Sequence, residues 1–357
     1  MLTSIYYKKT YIIMCGICGE LKFKDYSFNE EKLTALIDSI SNRGRDSNGI
    51  FRNNDIFLGH HRLSIIDTSK KSNQPMKVGN YIIAFNGIIY NYIDLRNRLI
   101  AKGHVFNSSG DTEVIIKMFI EYGDNCINHL DGVFAFCIYD TAKKNMFLAR
   151  DRFGIKPLYY SINEKHIIFS SSVKGIISYK NNTQINPIAL NYQFTLHSVV
   201  PAPHTIINDI NKLEPGCVMN ISKSGKKYIY KYFDIEKIGI SDFSDNEIIE
   251  KSKFLLNEAI RKRLEVADVP VGILLSGGLD SSLITAISKK YKDKISTYSI
   301  GFNSINEEVG DEFYYSDIVS KFFKTKHSKY NISDDELFEN LDSVVKDMSE
   351  PMFSQDS

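Results

Sequence analysis

The chain has 357 residues, with 44 Lys and Arg against 43 Asp and Glu, a formal net charge of +1, and 43% hydrophobic residues. This length suggests about two domains, and the composition excludes a disordered or fibrous protein. A charge so close to zero removes the main electrostatic argument for a nucleic-acid partner or an acidic membrane surface. No stretch approaches the roughly 20 apolar residues of a membrane-spanning helix, so no membrane partner is expected.

The cysteines and the first residues of the chain indicate the cellular compartment in which the protein works. Five cysteines are an odd number and few for this length, which is typical of reduced thiols in a cytoplasmic protein. Residues 1–14 contain only a four-residue apolar run, Tyr11 to Met14, which is too short for the core of a signal peptide. We interpret residues 1–14 as a leader or a mis-assigned start.

The first two hundred residues have the pattern of strands and turns with a few helices. Asn29 is the predicted N-cap of a helix whose apolar residues follow the 3.6-residue period. A second helix is predicted over Thr112–Tyr122, ended by Gly123. Runs rich in Ile, Val, Phe and Tyr predict strands at Tyr81–Phe85, Val133–Tyr139, Asn145–Ala149 and His166–Ser170, and 11–23 has the same character.

The pattern changes after a polar, Lys-rich stretch that ends near Asp245, where we place the domain boundary. Ser244 and Glu247 form a capping-box signature for a helix reaching Leu264. A strand at Val269–Leu275, a helix at Ser281–Tyr291 and a strand at Ile295–Phe302 then follow. Strand, helix and strand at this spacing predict a parallel α/β sheet.

The turn Ser276-Gly-Gly-Leu-Asp-Ser-Ser282 joins that first strand to its helix. Backbone N–H groups in such a turn can converge on an anion, and the helix N-terminus favours negative charge. It is neither a Walker loop nor a dinucleotide-binding fingerprint. The heptapeptide resembles the pyrophosphate loop of ATP pyrophosphatases. The resemblance implies that Asp280 helps to hold Mg²⁺ and that ATP is bound by Leu275, Ser276, Gly277, Gly278, Leu279, Asp280, Ser281 and Ser282.

Met14-Cys-Gly-Ile-Cys18 is compatible with three kinds of site. A redox Cys-x-x-Cys pair should open a helix after a strand, and half a zinc site needs a second pair of ligands. The third possibility is a terminal nucleophile. If Met14 is the initiator and is removed, the free α-amine of Cys15 can act as general base for its own thiol.

Other segments resemble class II glutamine amidotransferases in the same order. They are Arg43–Gly49, Gly59–Asp67, Gln74–Met76, Ala84–Asn91, Asp111–Val114, Leu130–Phe136 and Ala149–Tyr160. This series, followed by a pyrophosphate loop, is similar to the glutamine-hydrolysing asparagine synthetase family over residues 14–357. The implied fold is an α+β N-terminal-nucleophile αββα sandwich over 15–235. The resemblance then implies the N-terminal part of an α/β open parallel-sheet synthetase domain over 236–357.

The resemblance also implies a role for each matching residue of the first domain. Cys15 would attack the glutamine side-chain amide, and the Asn86 side chain with the Gly87 N–H would stabilise the oxyanion. Arg62 would pair with the α-carboxylate of glutamine, and Asp111 with its α-ammonium group. The implied overall reaction adenylates aspartate with ATP and amidates it to asparagine with release of AMP and pyrophosphate.

The implied cofactors are ATP and Mg²⁺, the substrates are glutamine, aspartate and ATP, and the implied assembly is a homodimer. Two alternatives stay open: a glutamine-dependent amidotransferase acting on another small or sugar carboxylate, and a remnant without synthetase activity. The sequence also departs from the family pattern. Ile88 and Ser172 stand where the family usually has Glu, and Glu350–Ser357 resembles a segment from the middle of the synthetase domain, so we expect an incomplete second domain.

Overall fold

Antiparallel strands dominate the first part of the chain in the computed structural model, which describes residues 14–180, 182–235, 243–302 and 313–351. The chain divides into two units, Met1–Glu236 with Ser349–Ser357 and Lys237–Met348. In the first unit the elements are β1 Gly16–Lys22, α1 Glu30–Asp38, β2 Ser47–Arg52, β3 Ile56–Arg62, β4 Met76–Val78, β5 Tyr81–Ile89, α2 Tyr92–Ala101, α3 Asp111–Tyr122, β6 Gly132–Asp140, β7 Asn145–Arg150, β8 Tyr159–Ile162, β9 His166–Ser170, α4 Val173–Ile177, α5 Pro187–Thr195, β10 Asn211–Lys212, β11 Cys217–Ser222 and β12 Lys227–Lys231.

These strands form two six-stranded antiparallel sheets, in the orders β10-β8-β9-β1-β3-β2 and β12-β11-β7-β6-β5-β4. Alternate residues of a strand point to opposite faces, so Ile17 and Leu21 of β1 reach the apolar layer between the sheets, where Ile82 and Ala84 of β5 also lie. Cys18, between Ile17 and Leu21, packs in a second core cluster.

Helices cover the two outer faces. Leu36 of α1 and Ile176 of α4 pack with Cys18 and Ile168 outside the first sheet. Phe119 of α3 packs outside the second sheet, 5.5 Å from the ring of Tyr81 and 5.0 Å from that of Phe147. The αββα layering predicted from the sequence is confirmed.

The second unit is built on a parallel sheet. Its elements are α6 Asp245–Glu265, β13 Gly272–Leu274, α7 Leu279–Tyr291, β14 Ser296–Phe302, α8 Phe313–Phe323, β15 Lys326–Ile332 and α9 Asp334–Asp347. The strands pair in the order β13-β14-β15 and all run parallel. The predicted parallel α/β arrangement is therefore confirmed, and the Ser244–Glu247 capping box is present.

Several element ends differ from the predictions. The described residues begin at Met14, so residues 11–13 of the predicted strand lie outside them, and β1 itself starts at Gly16. β13 covers only Gly272–Leu274 because only these residues pair with β14. α7 begins at Leu279, two residues earlier than predicted, which brings Asp280 into its first turn. Over the ranges that the structure describes, no helix is both long and apolar enough to cross a bilayer.

Candidate functional site

Cys15 lies immediately before β1, next to the end of β3. Pairing of Gly16 with His61 brings the backbone of Leu63 beside the thiol. The Leu63 N–H donates to Cys15 Sγ at 3.2 Å, and Sγ lies 3.5 Å from the Leu63 carbonyl oxygen. Burial raises the pKa of the Cys15 thiol, and the Leu63 N–H opposes that rise. The thiol is thus held in a fixed position by a backbone donor that stabilises its thiolate.

The neighbouring Cys18 has a different environment. It is fully buried in β1 and packs in the core beneath α1, whereas a redox pair would open a helix. Cys15 and Cys18 are both free thiols. Across the described residues there is also no group of three or more His, Cys, Asp or Glu side chains placed to hold a metal ion. These observations favour a single reactive thiol, that of Cys15.

Cys15 opens onto a pocket between β3, β5 and α3. The pocket also contains Arg62, Gly87 and Asp111, so the structure brings four of the five predicted glutaminase residues to one cavity. Ile88 lines it too, as an apolar wall where the family usually has a carboxylate. The remaining lining residues are Leu63, Ile65, Ile66, Gln74, Phe85 and Thr112.

Asn86, the fifth predicted residue, lies on β5 directly before Gly87. It follows Ile82 and Ala84 at two-residue intervals, so its side chain is on the face of β5 that looks toward the other sheet. Asn86 is 1% exposed, and its Nδ2 has no hydrogen-bond partner in the described residues. A buried amide donor without an acceptor is costly, and this one can donate a hydrogen bond to a ligand oxygen.

Gly87 is required by close packing against β6. A Cβ added there would lie 2.2 Å from the Val133 carbonyl oxygen and 2.7 Å from Phe134 Cα. Any other residue would therefore push β5 and β6 apart at the pocket wall.

Arg62 ends β3, and its guanidinium group holds the loop that follows. Nη1 donates to the Ser69 carbonyl at 2.9 Å and to Asn73 Oδ1 at 3.0 Å. Nη2 donates to the carbonyl oxygens of Ile66, at 3.3 Å, and Asp67. The side chain is 4% exposed. Arg62 therefore shapes one wall of the pocket as well as carrying a positive charge into it.

Asp111 is the first residue of α3 and lies fully inside the protein. Burial raises the pKa of its carboxyl to about 7. Hydrogen bonds from the N–H groups of Ile89 (3.1 Å), Asp111 and Thr112, together with the charge of Arg62, act against that rise. No residue that the structure describes forms an ion pair with the Asp111 carboxylate, so a bound cation would offset the cost of its charged form.

The second predicted site is the turn between β13 and α7. The Leu275 N–H donates to the Tyr298 carbonyl at 2.8 Å, and the Leu275 carbonyl accepts from Ser299 Oγ. Serine hydroxyls accept hydrogen bonds from two backbone N–H groups of the turn. Ser281 Oγ accepts from the Gly277 N–H at 3.2 Å, and Ser276 Oγ accepts from the Gly278 N–H at 3.3 Å.

The remaining residues of this turn lie at the start of α7. Ser282 Oγ donates to the Gly277 carbonyl at 3.2 Å, and the side chain of Leu279 is 82% exposed at the start of α7. Ser hydroxyls and backbone N–H groups are thus gathered at a helix N-terminus, the arrangement that binds phosphate groups in many proteins.

Gly277 gives the turn its shape. Its φ is +92°, and an added Cβ would lie 2.5 Å from the backbone nitrogen of Ser316 and from Tyr315 Cβ in α8. Asp280 is exposed, and no hydrogen bond or ion pair from the described residues reaches its carboxylate. One carboxylate next to bound phosphates is a usual way of holding Mg²⁺, so the residues fit this ion.

Some pocket residues were not predicted individually. Gln74 Oε1 accepts from the Phe85 N–H at 2.7 Å, and its Nε2 donates to Thr112 Oγ1 at 3.2 Å. Gln74 thereby ties the pocket wall of β5 to α3. The only sequence signal for it was its place in the ordered motif series. Leu63 acts through its backbone, which no side-chain pattern reveals.

Two family models match successive parts of the chain. The glutamine amidotransferase domain family matches residues 14–233, and the asparagine synthase family matches residues 252–357. The "Putative asparagine synthetase (glutamine-hydrolyzing) 2" of Methanocaldococcus jannaschii is 36% identical over 365 residues, covering 95% of this chain and 68% of the relative.

Two further relatives are similar over less of their own length. Asparagine synthetase (glutamine-hydrolyzing) 3 of Bacillus subtilis is 32% identical, covering 93% of this chain and 56% of the relative. Amidase chry2 of Gibberella zeae is 33% identical, covering 77% of this chain and 42% of the relative. The chain thus spans between 42% and 68% of the lengths of these three proteins. The two matching families and the extended similarity to a relative covered over two thirds of its length lead to one conclusion: the chain belongs to the glutamine-hydrolysing asparagine synthetase family.

Proposed function

We propose that the chain carries out glutamine-dependent asparagine synthesis. Residues 15–235 would hydrolyse glutamine to glutamate and ammonia, and residues 236–357 would contribute the nucleotide loop of the domain that activates aspartate. The observation that carries the proposal is that Cys15, Arg62 and the buried Asp111 line the same pocket. These three groups match the amide, the α-carboxylate and the α-ammonium of glutamine.

In this proposal Cys15 Sγ attacks the side-chain carbonyl carbon of glutamine. The thiol proton passes to the α-amine of Cys15, whose ordinary pKa is about 7.7–8.0, and then to the departing amide nitrogen, which leaves as ammonia. Water hydrolyses the thioester to glutamate and restores the thiol. This mechanism requires Cys15 to be the first residue, so we propose that residues 1–14 are absent from the working enzyme.

Asn86, Gly87 and Arg62 would meet the other requirements of the reaction. Asn86 Nδ2 and the Gly87 N–H would stabilise the oxyanion, and the unpartnered, buried Nδ2 supports this role. Arg62 would bind the α-carboxylate. Its two terminal nitrogens already donate to four oxygens of the following loop, which uses all four of their N–H groups. Arg62 would therefore act on the carboxylate through its charge and its Nε–H while remaining part of the pocket wall.

For the second domain, we propose that the turn from Leu275 to Ser282 binds the phosphates of ATP. The serine hydroxyls would exchange their bonds to the turn's N–H groups for bonds to phosphate oxygens. Asp280 would hold Mg²⁺, which screens the charge of the phosphates. The acceptor would be aspartate. We also propose that the enzyme is cytoplasmic and forms a homodimer. The mass of the protein in solution would test the homodimer.

The proposal is tested with protein that begins at Cys15, incubated with amide-¹⁵N glutamine, ATP, Mg²⁺ and aspartate. We expect glutamate, AMP and asparagine carrying ¹⁵N, measured by mass spectrometry. Omitting aspartate, or replacing it with glucuronate, should leave glutamate and remove AMP. Absence of glutamate would refute the glutaminase assignment, whereas glutamate without aspartate-dependent AMP would refute only the synthetase assignment.

The raised pKa of Asp111 predicts how glutamine binding depends on pH. Its carboxylate must be ionised to pair with an ammonium group, and a pKa of about 7 means that this form is lost as the pH falls below 7. We expect kcat/KM for glutamine to fall up to about tenfold per pH unit below 7 through this group alone. The kcat profile should lack this limb, because bound ammonium keeps Asp111 ionised.

Substitution of Asp111 should weaken the binding of glutamine. Asp111→Asn should raise the KM for glutamine on the order of 100-fold and remove this part of the pH dependence. Asp94→Asn is the matched control, because Asp94 occupies the first turn of α2 but is exposed. A KM for wild-type protein that stays constant between pH 6 and 8 would contradict the assignment.

A further inference from the structure

Lys156 lies beside Met14, the residue before Cys15, in a motif to which the proposed mechanism assigns no role. Its Nζ is 3.2 Å from Sδ of Met14, the residue bonded to the Cys15 nitrogen. It is close enough to interact electrostatically with the Cys15 thiol. No carboxylate in the described ranges forms an ion pair with Lys156, so its positive charge acts on the groups around it.

The backbone of Lys156 is held from both sides. Its N–H donates to Asp151 Oδ2 at 2.9 Å, and its carbonyl accepts from Arg150 Nε at 2.9 Å. The Asp151 carboxylate also accepts N–H bonds from Phe134, Phe153 and Ile155 at 3.0–3.1 Å, and Arg150 Nη2 donates to the Gly154 carbonyl at 2.7 Å. Residues 150–156 are therefore a rigid turn that fixes where the Lys156 side chain begins.

A second cation lies on the other side of Cys15. Arg43 Nε donates to the Cys15 carbonyl oxygen at 3.0 Å, and Arg43 Nη2 is buried with no partner in the described residues. Burial lowers the pKa of Lys156, and Arg43 acts in the same direction. The other charged groups that face Cys15 are Arg62 and Asp111. Three cations and one carboxyl thus surround this residue.

From this geometry we infer that, once Met14 is removed and its contact with Lys156 is lost, Lys156 and Arg43 keep the α-amine of Cys15 in its uncharged, basic form at neutral pH. The inference rests on the proposed glutaminase function. A positive charge close to an amine disfavours the ammonium form and favours the free base. The same charge favours the thiolate of Cys15. Lys156 acts through Cys15 and is a positioning residue, since it need not touch glutamine.

The test is the pH profile of kcat for glutamine hydrolysis by protein that begins at Cys15. Lys156→Gln should move the acid limb upward by about one pH unit, with a loss of up to about tenfold at pH values below the limb. Lys156→Arg should restore the wild-type limb, because it keeps the charge. Lys165→Gln, at an exposed lysine of the turn before β9, is the control and should leave the profile unchanged.

A second measurement does not require turnover. The α-amine of Cys15 is acetylated with acetic anhydride at a series of pH values, and the fraction modified gives its titration midpoint by mass spectrometry. The midpoint should lie below 7.7 in the wild type and rise by about one unit in Lys156→Gln. Equal midpoints, or equal kcat limbs, in folded wild-type and Lys156→Gln protein would overturn the inference. If wild-type protein hydrolyses no glutamine at any pH, the proposed function itself fails instead.

Discussion

Cys15→Ala, in protein that begins at residue 15, is expected to lower kcat for glutamine hydrolysis on the order of 10⁴-fold or more. The reason is that Cys15 carries the only thiol among the described residues that line the pocket, and loss of a nucleophile removes the whole catalytic unit. Glutamate release, followed by mass spectrometry, measures the effect. Activity of the Ala variant within tenfold of the wild type would exclude Cys15 as the nucleophile.

Cys18→Ala is the matched control within the same motif. Cys18 is buried on the other face of β1, and burial raises the pKa of its thiol far above the usual range. We expect its replacement to leave kcat within about twofold of the wild type and to lower the free energy of unfolding by about 1 kcal/mol, because a small core contact is lost. Equal inactivation by both substitutions would indicate damage to β1 rather than loss of a nucleophile.

Gly277→Ala is expected to have the largest effect on the second unit. A residue with a Cβ is strained at a φ of +92°, and the added atom would approach the Ser316 backbone nitrogen to 2.5 Å. We expect a loss of about 2–5 kcal/mol in the free energy of unfolding of this unit. ATP binding, measured by calorimetry, should weaken at least tenfold. Circular dichroism in urea suits the stability measurement, because the chain has no Trp.

The neighbouring glycine supplies the comparison for stability. Gly278 has no positive φ, and the nearest atom to an added Cβ is Ser276 Oγ at 3.5 Å, an ordinary contact. Gly278→Ala should therefore change the free energy of unfolding by no more than about 0.5 kcal/mol. If the two Ala variants unfold at the same urea concentration, the packing of Gly277 against α8 does not determine the shape of the turn.

Local patterns predicted the elements of the fold because their causes are local. Asn29 caps α1 through its side chain, and Ser244 with Glu247 forms the capping box of α6, as expected from residues three positions apart. The ends of β13 could not be predicted in this way. Val269 to Val271 are as apolar as the paired residues, but only Gly272–Leu274 have a partner in β14. Strand ends depend on the neighbouring strand.

The residues of the candidate site could be predicted from the sequence, but their surroundings could not. Cys15, Asn86, Arg62 and Asp111 were predicted because the ordered motifs carry them. Their environment depends on contacts between distant parts of the chain: Leu63 is 48 residues from Cys15, and Ile89 is 22 residues from Asp111. The pKa of Asp111 follows from burial, which one sequence cannot reveal. Lys156 stood in a recognised motif, but only the turn built around Asp151 shows where its side chain goes.

The bonds made by Arg62 limit which substitutions the pocket can tolerate. Its fork of donors reaches four oxygens between residues 66 and 73. Lysine would preserve the charge but offers a single ammonium centre, which cannot span the same set of acceptors. A conservative replacement would release the loop while leaving the electrostatics intact. Holding this loop in place and carrying a positive charge at the pocket wall are therefore inseparable properties of one side chain.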